Sequence, residues 1–148
     1  VFCEKQYVTE KQYTRSNAMI VDLRNTDAEI MGEVIFPDFP FKEIIKKQLS
    51  SATTTRESCY DYMFIHFEID HSLPKYPFPK RVPVSMQYYF KKGYPIDFLL
   101  HIVNGYVSIL EIINVAGEEL IFNKADVTEI SFIFTNNEGD DVCSEYIL

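Results

Sequence analysis

The sequence has no tryptophan, only 5 glycines and 3 cysteines, and no long apolar run. The longest stretch free of Asp, Glu, Lys and Arg is Phe98–Leu110, 13 residues that include Asn104-Gly105. A helix that crosses a bilayer needs about 20. The 5 Gly and 7 Pro exclude collagen-like and low-complexity classes. Cys3, Cys59 and Cys143 are an odd set, far apart and without CxxC spacing. A secreted disulfide framework is not indicated, and three reduced thiols in a cytoplasmic protein are expected. Charge begins at Glu4, so no apolar signal-peptide core is visible. GxGxxG, P-loop and GxSxG patterns are all missing. No cofactor is expected.

Basic residues are scarce in one place only. Residues 1–109 hold 13 acidic and 13 basic side chains, while residues 110–148 hold 9 acids and one base, Lys124. The whole net charge of −8 therefore falls in the last 39 residues. A surface of one negative sign repels polyanions and steers cations. Direct binding to nucleic acid or to an anionic membrane needs a basic footprint and is not expected. What is present suits a globular chain: 47% apolar and 24% charged residues over 148 positions predict a single domain spanning 1–148. Ser16-Asn17-Ala18 before Met19 matches the scar of a cleaved tag, but cleavage removes everything before it and residues 1–15 are not His-rich, so the tripeptide is read as natural or coincidental; residues 1–18 are then an extended N-terminal segment, or a non-native one where the native start is Met19.

Hydrophobic spacing predicts the elements. Ala18–Leu23 is an apolar run that reads as a strand. Thr26-Asp27 opens a short helix with Ile30 and Val34 on one side, ended by Pro37. Phe39–Ala52 is the clearest helix, capped by Asp38, with Pro40 in its first turn and Phe41, Ile44, Ile45 and Leu49 as its core stripe. From Cys59 the period becomes two: Met63, Ile65, Phe67 and Ile69 alternate with Tyr62, Phe64, His66 and Glu68. Pro74, Pro77, Pro79 and Pro83 make an extended connection, followed by a strand over Val84–Phe90. Asn104-Gly105 between apolar runs predicts a two-residue hairpin. Strict alternation from that turn opposes His101 to Ser108 and Phe98 to Glu111. A short run over Glu119–Phe122, a strand over Val127–Phe134 and an edge strand over Val142–Leu148 complete the reading. The fold class is α+β: one or two N-terminal helices packed on a twisted, mainly antiparallel meander of five to six strands.

Few residues offer chemistry. His66, Asp70 and His71 are close in sequence, and His101 lies on another strand. Histidine and carboxylate together can bind zinc or exchange protons, but His66 and His71 point to opposite sides of their strand. Cys59 lies seven residues from His66, too far along a continuous strand to share a proton with it. Neither a catalytic residue nor a metal site is assigned. Glu111 is the special carboxylate: the expected register sets it among Phe98, Leu100, Ile102, Val107, Ile109 and Ile113, where an unpaired charge is costly. Tyr60, Tyr62, Phe64, Tyr76, Tyr88, Tyr89, Tyr94 and Tyr106 fall on strand faces and turns. Tyrosine favours interfaces, and acids steer a basic partner. The partner-binding set is therefore read as Glu118, Glu119, Glu129, Asp140, Asp141, Tyr62, Tyr89 and Tyr106.

The segments FPFKEIIKKQLSSA (39–52), FEID (67–70) and GYPIDFLLHIVNGYVSILEI (93–112) carry a resemblance. Over Phe36–Ile121 the chain resembles bacterial toxin-immunity proteins, including those that accompany contact-dependent growth-inhibition toxins. The resemblance implies a cytoplasmic binder that occludes the active site of a cognate toxin, a basic nuclease, and is not itself an enzyme. The alternatives are a small hydrolase or metal-dependent enzyme using His66, His101 and Glu111, and a generic protein-interaction module.

Overall fold

Side chains alternate with period two from residue 62 onward, and one large sheet results. The computed structural model describes residues 5–8, 19–22, 33–36 and 38–147. The strands are β1 (Lys5–Val8), β2 (Met19–Asp22), β3 (Glu33–Phe36), β4 (Thr53–Ser58), β5 (Tyr62–Glu68), β6 (Val84–Phe90), β7 (Ile96–Val103), β8 (Tyr106–Asn114), β9 (Val127–Thr135) and β10 (Asp141–Ile147). One helix, α1 (Lys42–Ser50), precedes β4. The sheet has eight strands in the order β1-β10-β9-β6-β7-β8-β5-β4. From β10 to β4 every neighbour is antiparallel, and β1 joins β10 in parallel. β2 and β3 form a separate antiparallel pair.

Several expectations change. The sheet exceeds the meander of five to six strands because Thr53–Ser58, polar throughout and without alternation, adds a strand. Glu33–Phe36, expected to finish a helix, is β3; β-branched Val34 and Ile35 suit a strand better. The rest of that expected helix, and most of residues 1–18, lie outside the described residues. Asp141–Ile147 is not an edge, since β1 lies on its far side. Glu119–Phe122 is not a strand. The main helix starts at Lys42, because Phe41 takes a left-handed conformation (φ 65°) at its N-cap. Asp38 makes no cap there; its carboxylate reaches Lys42 Nζ at 2.6 Å. Ile45 is fully buried, but Phe41 of the expected stripe is 43% exposed. The thiols also differ: Cys59 is free and exposed, while Cys143 is disulfide-bonded. An odd count leaves one thiol over but does not forbid a bridge between cysteines distant in sequence. The cytoplasmic expectation loses that support. No helix among the described residues is long and apolar enough to cross a membrane.

One face of the sheet carries the core. Val84, Met86 and Tyr88 of β6, Ile96, Phe98, Leu100 and Ile102 of β7, and Leu110 and Ile112 of β8 are buried there. Helix α1 covers this face beside β8. At one end of the sheet, residues 115–126 tuck Leu120 and Phe122 under it, and the Phe122 ring meets Tyr88, Phe90 and Phe98. At the other end the proline-rich segment 69–83 forms a strap from β5 to β6. It passes the Asn104-Gly105 turn, where Tyr76 N–H donates to Gly105 O at 2.8 Å.

Gln48 ties helix, strap and hairpin together. Its amide is fully buried. Nε2 donates to Pro74 O (2.8 Å) and Gly105 O (3.0 Å), and Oε1 accepts from Val107 N–H (2.9 Å). Asn104 and Gly105 both have positive φ, 52° and 83°, as the two-residue turn requires. A Cβ on Gly105 would fall 2.7 Å from Lys75 Cβ, so the strap's close approach also demands glycine.

The hairpin contains a bulge that alters its faces. Val103 opposes Tyr106 and Ile102 opposes Val107 as expected, but His101 opposes Ile109, skipping Ser108. Beyond that point Phe98 opposes Ile112 and Leu99 opposes Glu111. A one-residue shift sends every side chain to the other face. Glu111 thus leaves the apolar face, and Leu110 and Ile112, fully buried, take its place. The expected burial of Glu111 among Phe98 and Leu100 is overturned, because the bulge spares the core a carboxylate.

Ile45→Ala should cost about 2–5 kcal/mol as a core truncation. Gln48→Leu should cost about 2 kcal/mol, since it leaves the buried Val107 N–H without its acceptor and takes a donor from Pro74 O, while Gly105 O keeps the Tyr76 N–H. Urea unfolding of both variants checks these values; a Gln48→Leu loss under about half a kcal/mol would show that the clip is dispensable.

Candidate functional site

Three connections meet at the end of the sheet opposite the strap. They are the β4–β5 turn (residues 59–61), the β6–β7 turn (91–95) and the β8–β9 connection (115–126). Backbone bonds fasten them together: Leu120 N–H to Tyr60 O (2.8 Å), Asn114 N–H to Asp61 O (2.9 Å), Val115 N–H to Pro95 O (3.2 Å) and Lys91 N–H to Asp126 O (2.8 Å). Leu120 and Phe122 point inward, so Ile121 between them points out and is 62% exposed. Tyr60, Tyr94 and Val115 are exposed at this same end. Glu118 and Glu119 stand among them, also exposed. A groove here is lined by Tyr60, Phe90, Lys92, Tyr94, Glu118 and Ile121 among others. Among the described side chains, Asp61, Glu118, Glu119 and Asp126 outnumber Lys91 and Lys92, so the end is apolar, aromatic and acidic.

The expected partner-binding residues do not form one patch. Glu118 and Glu119 belong to this end. Glu129 lies near it on β9, opposite Tyr89 and on the sheet face away from the core. Asp140 and Asp141 stand at the strap end, roughly 25 Å away along the strands. Asp141 is engaged there, with Lys80 Nζ at 3.2 Å and the Thr135 hydroxyl at 3.3 Å. Tyr62 opens β5 on the outer face, its ring 4.7 Å from that of Phe64. Tyr106 is buried under the strap, stacked on His71 at 4.2 Å and donating its hydroxyl to His71 O at 2.7 Å. Val115 and Ile121 were not singled out from sequence. The alternation Leu120-Ile121-Phe122 was the available signal, once its neighbours are known to be core.

The outer face holds two of the three histidines, His66 and His101. His66 and His101 occupy one row, both opposite Ile109 from its two sides. One strand lies between them, so their backbones are about 10 Å apart. His66 faces Glu57 (3.6 Å) instead. The bulge brings His101 against Glu111: Nε2 lies 2.6 Å from Oε2. Arg81 Nε–H donates to His101 Nδ1 at 3.2 Å, which makes Nδ1 an acceptor and places the proton on Nε2, donated to Glu111. Both ring nitrogens are occupied, so the imidazole has no open lone pair with which to activate a nucleophile. Among the described residues no group of three His, Cys, Asp or Glu side chains could hold a metal ion.

The polar row continues along this face. Asp97 Oδ1 accepts from Gln87 Nε2 at 2.7 Å, and the Tyr89 hydroxyl donates to Gln87 Oε1. Burial pushes the Asp97 carboxyl above its ordinary range; the Gln87 bond pulls it back, and the Glu111 charge adds to the rise. A carboxyl raised in the folded state costs stability while it is ionised. That cost is present at neutral pH and fades as pH falls through the raised value. Asp97→Asn keeps an acceptor for Gln87 and should therefore raise the melting temperature at neutral pH. The gain should vanish near about pH 3, where the carboxyl is protonated in both states. Thermal melts across this range check the sign; a gain that persists at low pH would assign it to another cause.

No protein-family model, curated protein or solved structure matches this chain.

Proposed function

We propose that this chain is a binding protein, without turnover of its own, that captures and neutralises a basic protein partner. In the terms of the resemblance over Phe36–Ile121, the partner is a cognate toxin of the nuclease type. One observation carries the reading: three separate connections converge to expose Tyr60, Tyr94, Val115 and Ile121 beside Glu118 and Glu119. Aromatic and aliphatic anchors within a polar, charged rim make the anatomy of a protein interface. The anchors slow dissociation once they are desolvated, and the acids speed encounter with an opposite charge. Toxin capture needs both, because the toxin must be bound before it acts.

The test is stopped-flow association with the product of the gene immediately upstream, at two salt concentrations. Reversing Glu118 and Glu119 to Lys should slow association about tenfold at low salt and flatten its salt dependence. Asp140→Lys, at the far end, should leave the on-rate unchanged. Tyr60→Ala should act on dissociation, speeding it about tenfold. Equal effects at the two ends would show that net charge alone is felt and would remove the loop end as the docking site.

A further inference from the structure

The sheet face turned away from the core is open among the described residues. Along β7, and along β8 beyond its bulge, inward side chains are buried and outward ones part-exposed; β5 repeats this from Tyr62 to His66. An antiparallel sheet with one solvated face carries polar side chains on that face. This one carries Tyr62, Phe64, Leu99, Ile109 and Ile113. They are neighbours: Tyr62 opposes Ile113, its ring lies 4.7 Å from that of Phe64, and Glu111 alone stands between Phe64 and Leu99 across the strands. A contiguous apolar patch on an open surface marks an interaction site. Its charge has one sign. Glu57, Glu68, Asp97 and Glu111 point outward here, and no outward position of β4, β5, β7 or β8 holds Lys or Arg. Arg56 of β4 stands opposite buried Ile65, on the other face, and Arg81 of the strap reaches only the margin, at His101.

We propose that a basic protein partner docks on this open face as well as on the loop end, laying an apolar surface over Phe64 and Leu99 while its cations meet Glu57, Glu68 and Glu111. The inference rests on the basic partner proposed above and extends its footprint. Two observations select that occupant. First, the patch is continuous with the loop end. Tyr62 follows the 59–61 turn that exposes Tyr60, Asp97 follows the 91–95 turn, and Ile113 lies just before exposed Val115. Second, the charge disfavours a second copy: two such faces brought together set carboxylates against carboxylates with no Lys or Arg among them, whereas a basic surface complements them. The Thr53 hydroxyl on Glu68 and the His101 N–H on Glu111 are neutral donors and leave those charges uncancelled.

The full chain is used for the test, with the product of the gene immediately upstream as the probe. Phe64→Lys is the main variant. In the free sheet its ammonium stands between Glu57 and Glu111, so the melting temperature should hold, while against a basic partner it repels. Binding should weaken about tenfold. Ser131→Lys makes the same charge change on β9, beyond Ser85 and Gln87 of β6, and should leave the affinity unchanged. Leu99→Thr removes apolar area without adding charge and should speed dissociation about fivefold. Losses in both Phe64→Lys and Tyr60→Ala would support one continuous footprint. A loss in Tyr60→Ala alone would overturn this inference and leave the loop end standing; a loss in Phe64→Lys alone would support the open face and remove the loop end. No association with that product would remove both readings. Equal losses in Phe64→Lys and Ser131→Lys, or a parent dimer in sedimentation velocity that Phe64→Lys dissolves, would also overturn the proposal.

Discussion

A single buried amide holds the strap end together. Gln48 reaches from α1 to a carbonyl of the strap and to both a carbonyl and an N–H of the β7–β8 hairpin. Helix, strap and hairpin come from three distant parts of the chain: the helix presents the Gln48 side chain, the strap the Pro74 carbonyl, and the hairpin the buried Val107 N–H and the Gly105 carbonyl. A buried polar group without a partner is expensive, so the three elements are stable only in mutual register. The consequences spread from there. The strap lies close enough for Tyr76 to bond Gly105, Tyr106 is closed in against His71, and Gly105 admits no side chain. Ile45, three residues before Gln48 on the same helix, is thereby delivered to the core.

The second constraint is the bulge at Ser108. The segment Tyr106–Asn114 presents apolar side chains at nearly every position, so either face could have been the inner one. Leaving Ser108 out of the ladder puts Leu110 and Ile112 inside and Glu111 outside. The carboxylate then meets His101, already held by Arg81. Asp97, Gln87 and Tyr89, brought to the same outer face by the pairing of β6 with β7, form a polar row beside it. The burial of Leu110 and Ile112 and the meeting of Glu111 with His101 are thus two results of one irregularity.

At the opposite end, short connections rather than strand faces decide what is displayed. The turns at 59–61 and 91–95 and the connection 115–126 bond to one another through their backbones. This fixes Glu118 and Glu119 beside tyrosines contributed from elsewhere in the chain. The acids near the C-terminus, continuous in sequence, are divided between the two ends of the sheet because β9 runs the length of it. A charge excess in the last 39 residues is therefore not one acidic surface.

Much of the architecture was legible in the residues. Period-two alternation marked β5, β6, β7 and β9; Asn104-Gly105 marked its hairpin; helical spacing marked α1 and Ile45; the prolines marked the strap. These signals are local, because a side chain's face within an element depends only on spacing, and turns depend on the φ their residues tolerate. β4 was not legible, since a polar edge strand takes its state from pairing with β5 rather than from its own pattern. The burial of Gln48, the pairing of His101 with Glu111 instead of His66, the bridge at Cys143 and the convergence of Tyr60, Tyr94 and Ile121 were equally out of reach. Each depends on contacts between residues far apart in the chain, and a one-residue slip in register, invisible in composition and periodicity, was enough to choose which side chains meet.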